Sequence, residues 1–135
     1  MSRQRKDDVD AVTTRLGDGT IAQVVASDVT TGYELIVDGT PQSHVDLDDP
    51  THLHFEYIAR MGAVIDQLRM PGQPITAVHL GAGAMTLPRY IEATRPGSRQ
   101  QVIELESALV ALVRGARGAR QAAGRATRRR RPRGV

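Results

Sequence analysis

The sequence contains no cysteine and no tryptophan, and it has only one phenylalanine and three tyrosines. The absence of cysteine excludes disulfides, zinc–thiolate sites and cysteine nucleophiles. With so few aromatic residues, a chain of 135 residues must build its core from aliphatic side chains. No apolar run is long enough to cross a bilayer, and the charged N-terminus leads into no apolar segment. We therefore expect a cytoplasmic protein with no membrane contact.

Acidic residues are absent from the C-terminal segment, residues 114–135, which holds nine arginines and a net charge of +9. The 113 residues before it hold nine basic and fifteen acidic residues, a net charge of −6. The segment has too little apolar surface to offset its chain entropy, so we expect nothing after Val113 to pack in a core. Residues 1–12 and 114–135 are predicted to be disordered. The arginines could attract nucleic acid, although no aromatic residue in the tail could stack on bases.

Residues 13–47 are predicted to form a small antiparallel β region. Stretches rich in β-branched and aliphatic residues follow the turn signals Asp18-Gly19 and Thr31-Gly32, and a more polar stretch follows them. The three strands are expected at residues 20–26, 33–37 and 42–46.

Residues 48–113 alternate between helical and strand patterns, which predicts an α/β fold. A helix over residues 51–68 is expected to start at Asp49-Pro50 and to bury one apolar stripe. That stripe consists of Tyr57, Ile58, Met61, Val64, Ile65 and Leu68. The remaining elements are a buried strand at 75–80, a helix at 84–94, a strand at 100–104 and a third helix from residue 107.

A glycine turn, Gly81-Ala82-Gly83, joins the buried strand to the next helix. Two glycines allow a sharp bend and a close ligand approach, and the free N–H groups at a helix start favour an anion. Glu104 ends the following strand about 20 residues later, where such folds place the acid that accepts ribose hydroxyls. Together these features predict an adenosine-containing ligand. Alternatively, Glu104 is a plain strand-end carboxylate; Glu106 is expected to favour the dipole of the third helix.

Histidines cluster in the sequence around the expected start of the first helix. His44, His52 and His54 lie near several aspartates, which raises the alternative of a metal site. We favour ordinary polar residues and no metal, because positions i and i+2 point apart on a helix. His79 lies inside an apolar strand and is expected to be a hydrogen-bonded core or pocket-rim residue.

Four segments in the same order resemble motifs of the spermidine synthase family of aminopropyltransferases. They are residues 37–42, 49–61, 80–83 and 103–106, with the resemblance covering roughly residues 33–113. The resemblance implies a small N-terminal β domain followed by the first half of a Rossmann-like methyltransferase domain. It further implies that Gln42 contacts a nucleotide sulfonium donor, that Gly81, Ala82 and Gly83 shape the turn around it, and that Glu104 holds both ribose hydroxyls. The donor would be S-adenosylmethionine or its decarboxylated form, and the acceptor would be a polyamine. Whether the chain forms a homodimer is left open.

The chain also departs from the family pattern. Ala84 stands where the family has the aspartate that receives the donor's amine, and His54-Phe55-Glu56 replaces its Tyr-His-Glu. The family continues for more than another hundred residues, which include the catalytic aspartate. We therefore expect an incomplete and inactive fragment, truncated or frame-shifted near Arg114, with no catalytic residue assigned. The alternatives are a methyltransferase-like protein that uses intact S-adenosylmethionine, and a non-enzymatic basic module that binds nucleic acid.

Overall fold

Four antiparallel strands form the first sheet in a computed structural model that describes residues 12–116 and residue 118. The strands are β1 (Val12–Arg15), β2 (Ile21–Ala26), β3 (Gly32–Val37) and β4 (Thr40–Asp46), and they pair in sequence order. The predicted antiparallel sheet is therefore confirmed. The first strand, β1, was not among the three expected.

The core of the molecule lies against one face of this sheet. Ala22 and Val24 on β2 alternate with less buried residues, as do Tyr33 and Leu35 on β3. The third helix, residues 107–116, adds Leu109, Leu112, Val113 and Ala116 to the same buried cluster. Because strand side chains alternate between faces, this pattern fixes which side of the sheet the helix covers.

Two parallel strands form a second sheet. The elements that follow β4 are α1 (Glu56–Asp66), β5 (Thr76–Leu80), α2 (Thr86–Thr94) and β6 (Arg99–Ile103). β5 pairs with β6 in register from Thr76 opposite Arg99 to Leu80 opposite Ile103. A helix that connects two parallel strands makes a βαβ unit. The chain therefore has the predicted mixed α/β fold.

Helix α1 starts five residues later than predicted, at Glu56 rather than residue 51. The carboxylate of Asp46 accepts hydrogen bonds from the backbone N–H groups of Asp48 and Asp49, and that of Asp49 accepts one from the N–H of Thr51. Such local bonds give the backbone an alternative to the helix. Asp49-Pro50 therefore belongs to a turn and is not the helix start.

The predicted apolar stripe of α1 is largely exposed. Ile58 is buried, but Tyr57, Met61 and Val64 are 61%, 44% and 64% exposed. The packed side of α1 carries Gly62, which lies close to the side chains of Leu53 and Tyr90. The prediction that Tyr57 and Met61 are core residues is wrong, because no element of the described chain covers that side of the helix.

Two polar side chains, one within α2 and one directly after it, form hydrogen bonds with the end of α1 and the turn that follows it. The Arg95 guanidinium, only 2% exposed, donates to the carbonyls of Ile65, Met70 and Gln73 at 3.0, 3.2 and 2.9 Å. The Tyr90 hydroxyl donates to Asp66 at 2.7 Å. A cation is favoured near the free carbonyls at a helix C-terminus, so Arg95 stabilises the turn after α1.

The third helix continues past Val113 to residue 116, and Ala116 is buried in the core. The expectation that nothing after Val113 packs is therefore wrong for Ala116. The rest of the predicted disordered tail, apart from residue 118, and residues 1–11 lie outside the described residues. Among residues 12–116 and 118, no helix is both long enough and apolar enough to cross a membrane.

Candidate functional site

The glycine turn leaves β5 along a path that favours glycine at two positions. Gly81 and Gly83 have φ angles of +91° and +50°. The Gly81 N–H donates to the carbonyl of Ile103 at 2.8 Å, which extends the pairing of β5 with β6. A Cβ on Gly83 would lie 2.6 Å from the Ser43 hydroxyl oxygen. A side chain at Gly83 would therefore meet both backbone strain and a steric clash.

Strand β4 is hydrogen-bonded to the residues that follow the glycine turn. The Ser43 hydroxyl accepts a hydrogen bond from the Ala84 N–H at 3.3 Å, and the Thr86 hydroxyl donates to the His44 carbonyl at 3.0 Å. These bonds attach the start of α2 to the first sheet. Neither Ser43 nor Thr86 was predicted as a site residue, although each carries a hydroxyl at an informative position: Ser43 follows Gln42, and Thr86 is the first residue of α2.

Glu104 lies beside the glycine turn, as its place after β6 predicted. One carboxylate oxygen, Oε2, accepts the Ala82 N–H at 2.8 Å, and the other, Oε1, accepts the Glu106 N–H at 3.1 Å. Glu106 precedes the third helix, as expected, but its own carboxylate accepts the N–H of Gly17 at 3.2 Å. Two backbone donors thus fix the orientation of the Glu104 side chain.

The glycine turn forms part of the wall of a cleft of about 540 Å³. Four of the predicted site residues line it, namely Gln42, Gly81, Ala82 and Gly83. Glu104 is joined to this wall by its bond to Ala82. The lining residues include no aspartate, glutamate, arginine or lysine. The structure thus brings the five predicted residues together, and their contact with a ligand stays a prediction.

His79 lines the cleft and is hydrogen-bonded within the second sheet. Its Nε2 atom lies 2.8 Å from the Gln100 amide oxygen, and the Gln100 amide nitrogen donates to the Pro88 carbonyl at 2.9 Å. The prediction of a hydrogen-bonded pocket-rim histidine is confirmed.

The other three histidines meet at the junction of β4 and α1. The ring centroid of His44 lies 4.7 Å from that of His54 and 5.9 Å from that of His52. His44 is buried, its Nε2 atom lies 2.9 Å from the Ser27 hydroxyl, and its Nδ1 atom has no hydrogen-bond partner. Burial, followed by the nearby His54 and His52, lowers the pKa of His44.

The expectation that His52 and His54 point apart is wrong, because both precede α1 and lie on irregular backbone. In the part of the chain that the structure describes, no group of three or more histidine and carboxylate side chains could hold a metal ion.

The chain is similar in sequence and structure to a known protein. A scan of protein-family models gave no match, and a search of curated proteins gave none. A solved structure does match, that of a probable spermidine synthase from Corynebacterium glutamicum, with a TM-score of 0.62 and 32% sequence identity. The match covers 77% of this chain, which spans only 38% of the length of that protein. The described part of the chain therefore has a spermidine-synthase-like fold, of the general aminopropyltransferase and methyltransferase type.

Proposed function

We propose that the cleft binds an adenosine-containing sulfonium donor, as part of a spermidine-synthase-like transferase that moves an aminopropyl group from decarboxylated S-adenosylmethionine to a polyamine. The observation that carries this proposal is the 2.8 Å hydrogen bond between Glu104 and the N–H of Ala82. It sets a carboxylate against a glycine turn at the carboxyl ends of two parallel strands, which is where open α/β sheets bind nucleotides. The similarity to a probable spermidine synthase supports the choice of donor.

The hydrogen bonding of Glu104 suits a ribose. A carboxylate offers about four acceptor positions, and backbone donors take one on each oxygen. One acceptor position remains on each oxygen, and the vicinal hydroxyls of a ribose present two donors. Glu104 could therefore accept both hydroxyls without releasing the turn.

Catalysis is not assigned to the described residues. An amine acceptor must lose a proton before it attacks the sulfonium carbon, which requires a positioned base. The residues that line the cleft include no carboxylate, and the histidine among them, His79, is hydrogen-bonded to Gln100. The Glu104 carboxylate beside the cleft is assigned to the ribose and is not available as the base. We propose that the described residues serve donor binding and that this chain alone is inactive.

A second candidate is a methyltransferase-like protein that binds intact S-adenosylmethionine. Ala84 is 1% exposed and belongs to the core cluster, so its side chain presents nothing to a ligand. Apart from Glu104, which is assigned to the ribose and does not line the cleft, the described residues of the site include no carboxylate that could pair with the ammonium of an aminopropyl group. A donor whose ammonium is balanced by its own carboxylate would need no such partner.

Calorimetric titration with both donors tests the proposal and separates the candidates. We expect both donors to bind to the wild-type chain and to lose most of their affinity in Glu104→Ala, but not in the control Glu92→Ala, which removes an exposed carboxylate of α2. Tighter binding of the decarboxylated donor supports aminopropyl transfer, and tighter binding of intact S-adenosylmethionine supports the second candidate. If neither donor binds, the proposed function is wrong.

A further inference from the structure

We propose that Glu106 is a positioning residue for the candidate site, which it connects to the first sheet by holding Glu104 in its binding orientation. This inference rests on the proposed function, because the orientation of Glu104 matters only if that side chain meets a ligand. Glu106 itself does not line the cleft.

The bond from Glu106 to Gly17 spans 89 residues of sequence. Gly17 lies in the turn between β1 and β2, which is closed by backbone bonds from Leu16 to Thr20 and from Gly19 to Leu16. Leu16 is part of the buried core. The N–H of Gly17 is therefore a donor with a fixed position, and the Glu106 carboxylate meets it at 3.2 Å.

The backbone of Glu106 connects this anchor to the site. Its N–H donates to Glu104 at 3.1 Å, while its carbonyl accepts the N–H of Leu109 at 3.1 Å as the third helix begins. The Glu106 side chain thus ties the start of this helix to the first sheet. Without that tie, the Glu106 N–H can move, and Glu104 loses one of the two backbone donors that orient it.

Orientation before binding affects affinity, because a side chain that is already ordered loses less conformational entropy when the ligand arrives. The effect should be confined to ligands that use Glu104. An adenosine with both ribose hydroxyls should sense the Glu106 side chain, whereas dideoxyadenosine, which lacks those hydroxyls, should not.

The test compares three substitutions at this position by NMR titration of the full chain with adenosine and with dideoxyadenosine. Glu106→Ala removes the acceptor for Gly17, and Glu106→Asp keeps a carboxylate at the helix start but is too short to reach that N–H. Glu106→Gln keeps an amide oxygen that can still accept it. Glu92→Ala is the control for loss of one negative charge.

We expect Glu106→Ala and Glu106→Asp to weaken adenosine binding roughly three- to tenfold, the scale of the net contribution of one ordinary hydrogen bond. Dideoxyadenosine binding should stay unchanged in both, and Glu106→Gln should bind adenosine like the wild type. Equal loss of both ligands would show a merely structural role and overturn the inference. Unchanged adenosine binding in Glu106→Ala, or no rescue by Glu106→Gln, would do the same.

A measurement without ligand separates this inference from the proposed function. If Glu106 orients Glu104, the amide resonance of Ala82 should shift in Glu106→Ala and keep its wild-type position in Glu106→Gln. An Ala82 resonance that does not move in Glu106→Ala contradicts the positioning role. If that resonance moves as expected but the wild-type chain binds no adenosine ligand, the proposed function fails while the connection through Glu106 stands.

Discussion

The Oε2 atom of Glu104 lies 2.8 Å from the backbone nitrogen of Ala82, and this bond joins the end of β6 to the glycine turn after β5. The two residues are 22 positions apart in sequence. Their contact brings the only carboxylate predicted for the site to the only glycine turn predicted for it. The proposed binding of a nucleoside in the cleft depends on this contact.

Substitution of Gly83 should damage the glycine turn more than substitution of a glycine with comparable backbone geometry elsewhere. Gly83→Ala places a Cβ 2.6 Å from the Ser43 oxygen at a φ of +50°, whereas Gly19, with a φ of +88°, has open space around its missing Cβ. We expect Gly83→Ala to lower the free energy of unfolding by about 2–4 kcal/mol and Gly19→Ala by about 1–2 kcal/mol. Urea denaturation measures both, and equal losses would contradict the predicted clash.

Acid should destabilise the chain through His44. Its pKa is lowered in the folded state, so the neutral ring contributes stability above its ordinary pKa, and that stability is lost as pH falls through the lowered value. The midpoint temperature of thermal unfolding should therefore decrease as the pH is lowered below about 6.5. His44→Gln should reduce this dependence, while His79→Gln, outside the three-ring cluster, should retain it. An identical pH profile for wild type and His44→Gln would refute the assignment.

Strong base should release the contact between α1 and α2. Burial and the hydrogen bond to Asp66 raise the pKa of Tyr90 to about 12. Because its folded pKa is raised, the stability that this hydroxyl contributes is present below its ordinary pKa near 10 and is lost as pH rises toward about 12. Ultraviolet absorbance should show a tyrosine ionisation step near that pH, absent from Tyr90→Phe. A step that survives in Tyr90→Phe would belong to another residue.

The exposed face of the second sheet should bind hydrophobic dyes. Leu80 is 85% exposed, and Val78 on the same strand is 57% exposed. Leu80→Gln should lower the fluorescence of a bound dye such as anilinonaphthalene sulfonate, with a stability change within about 0.5 kcal/mol. The matched control, Val29→Gln, replaces a residue that is 61% exposed in a turn away from the cleft, and it should leave dye binding unchanged. Equal effects of the two substitutions would show that the dye does not report on this face.

The sequence was sufficient to predict the elements whose local patterns agree with their final packing. Stretches rich in β-branched and aliphatic residues after turn signals predicted β2 and β3, and the glycine turn predicted the passage from β5 to α2. The prediction that β5 is a buried strand was wrong, because Val78 is 57% exposed and Leu80 is 85% exposed. Glu104 was placed correctly because its distance from the turn is set by the length of one helix and one strand.

The sequence-based predictions failed where tertiary contacts determine the local structure or its burial. The start of α1 was missed because aspartate side chains cap a turn in the same way that they cap a helix, so Asp49-Pro50 fits both. The exposure of Tyr57 and Met61 was missed because helical spacing shows which residues share a face, not whether that face is covered. Contacts such as Glu106 with Gly17 join distant segments and leave no local pattern in the sequence.

The most direct measurement is an amide NMR titration of the wild-type chain with S-adenosylmethionine. We expect the largest shifts at Gly81, Ala82 and Gly83, with further shifts at Gln42 and Glu104, and we expect Glu104→Ala to abolish them. Shifts confined to other residues, or a titration that leaves the glycine turn unmoved, would contradict the assignment of this cleft as the donor site.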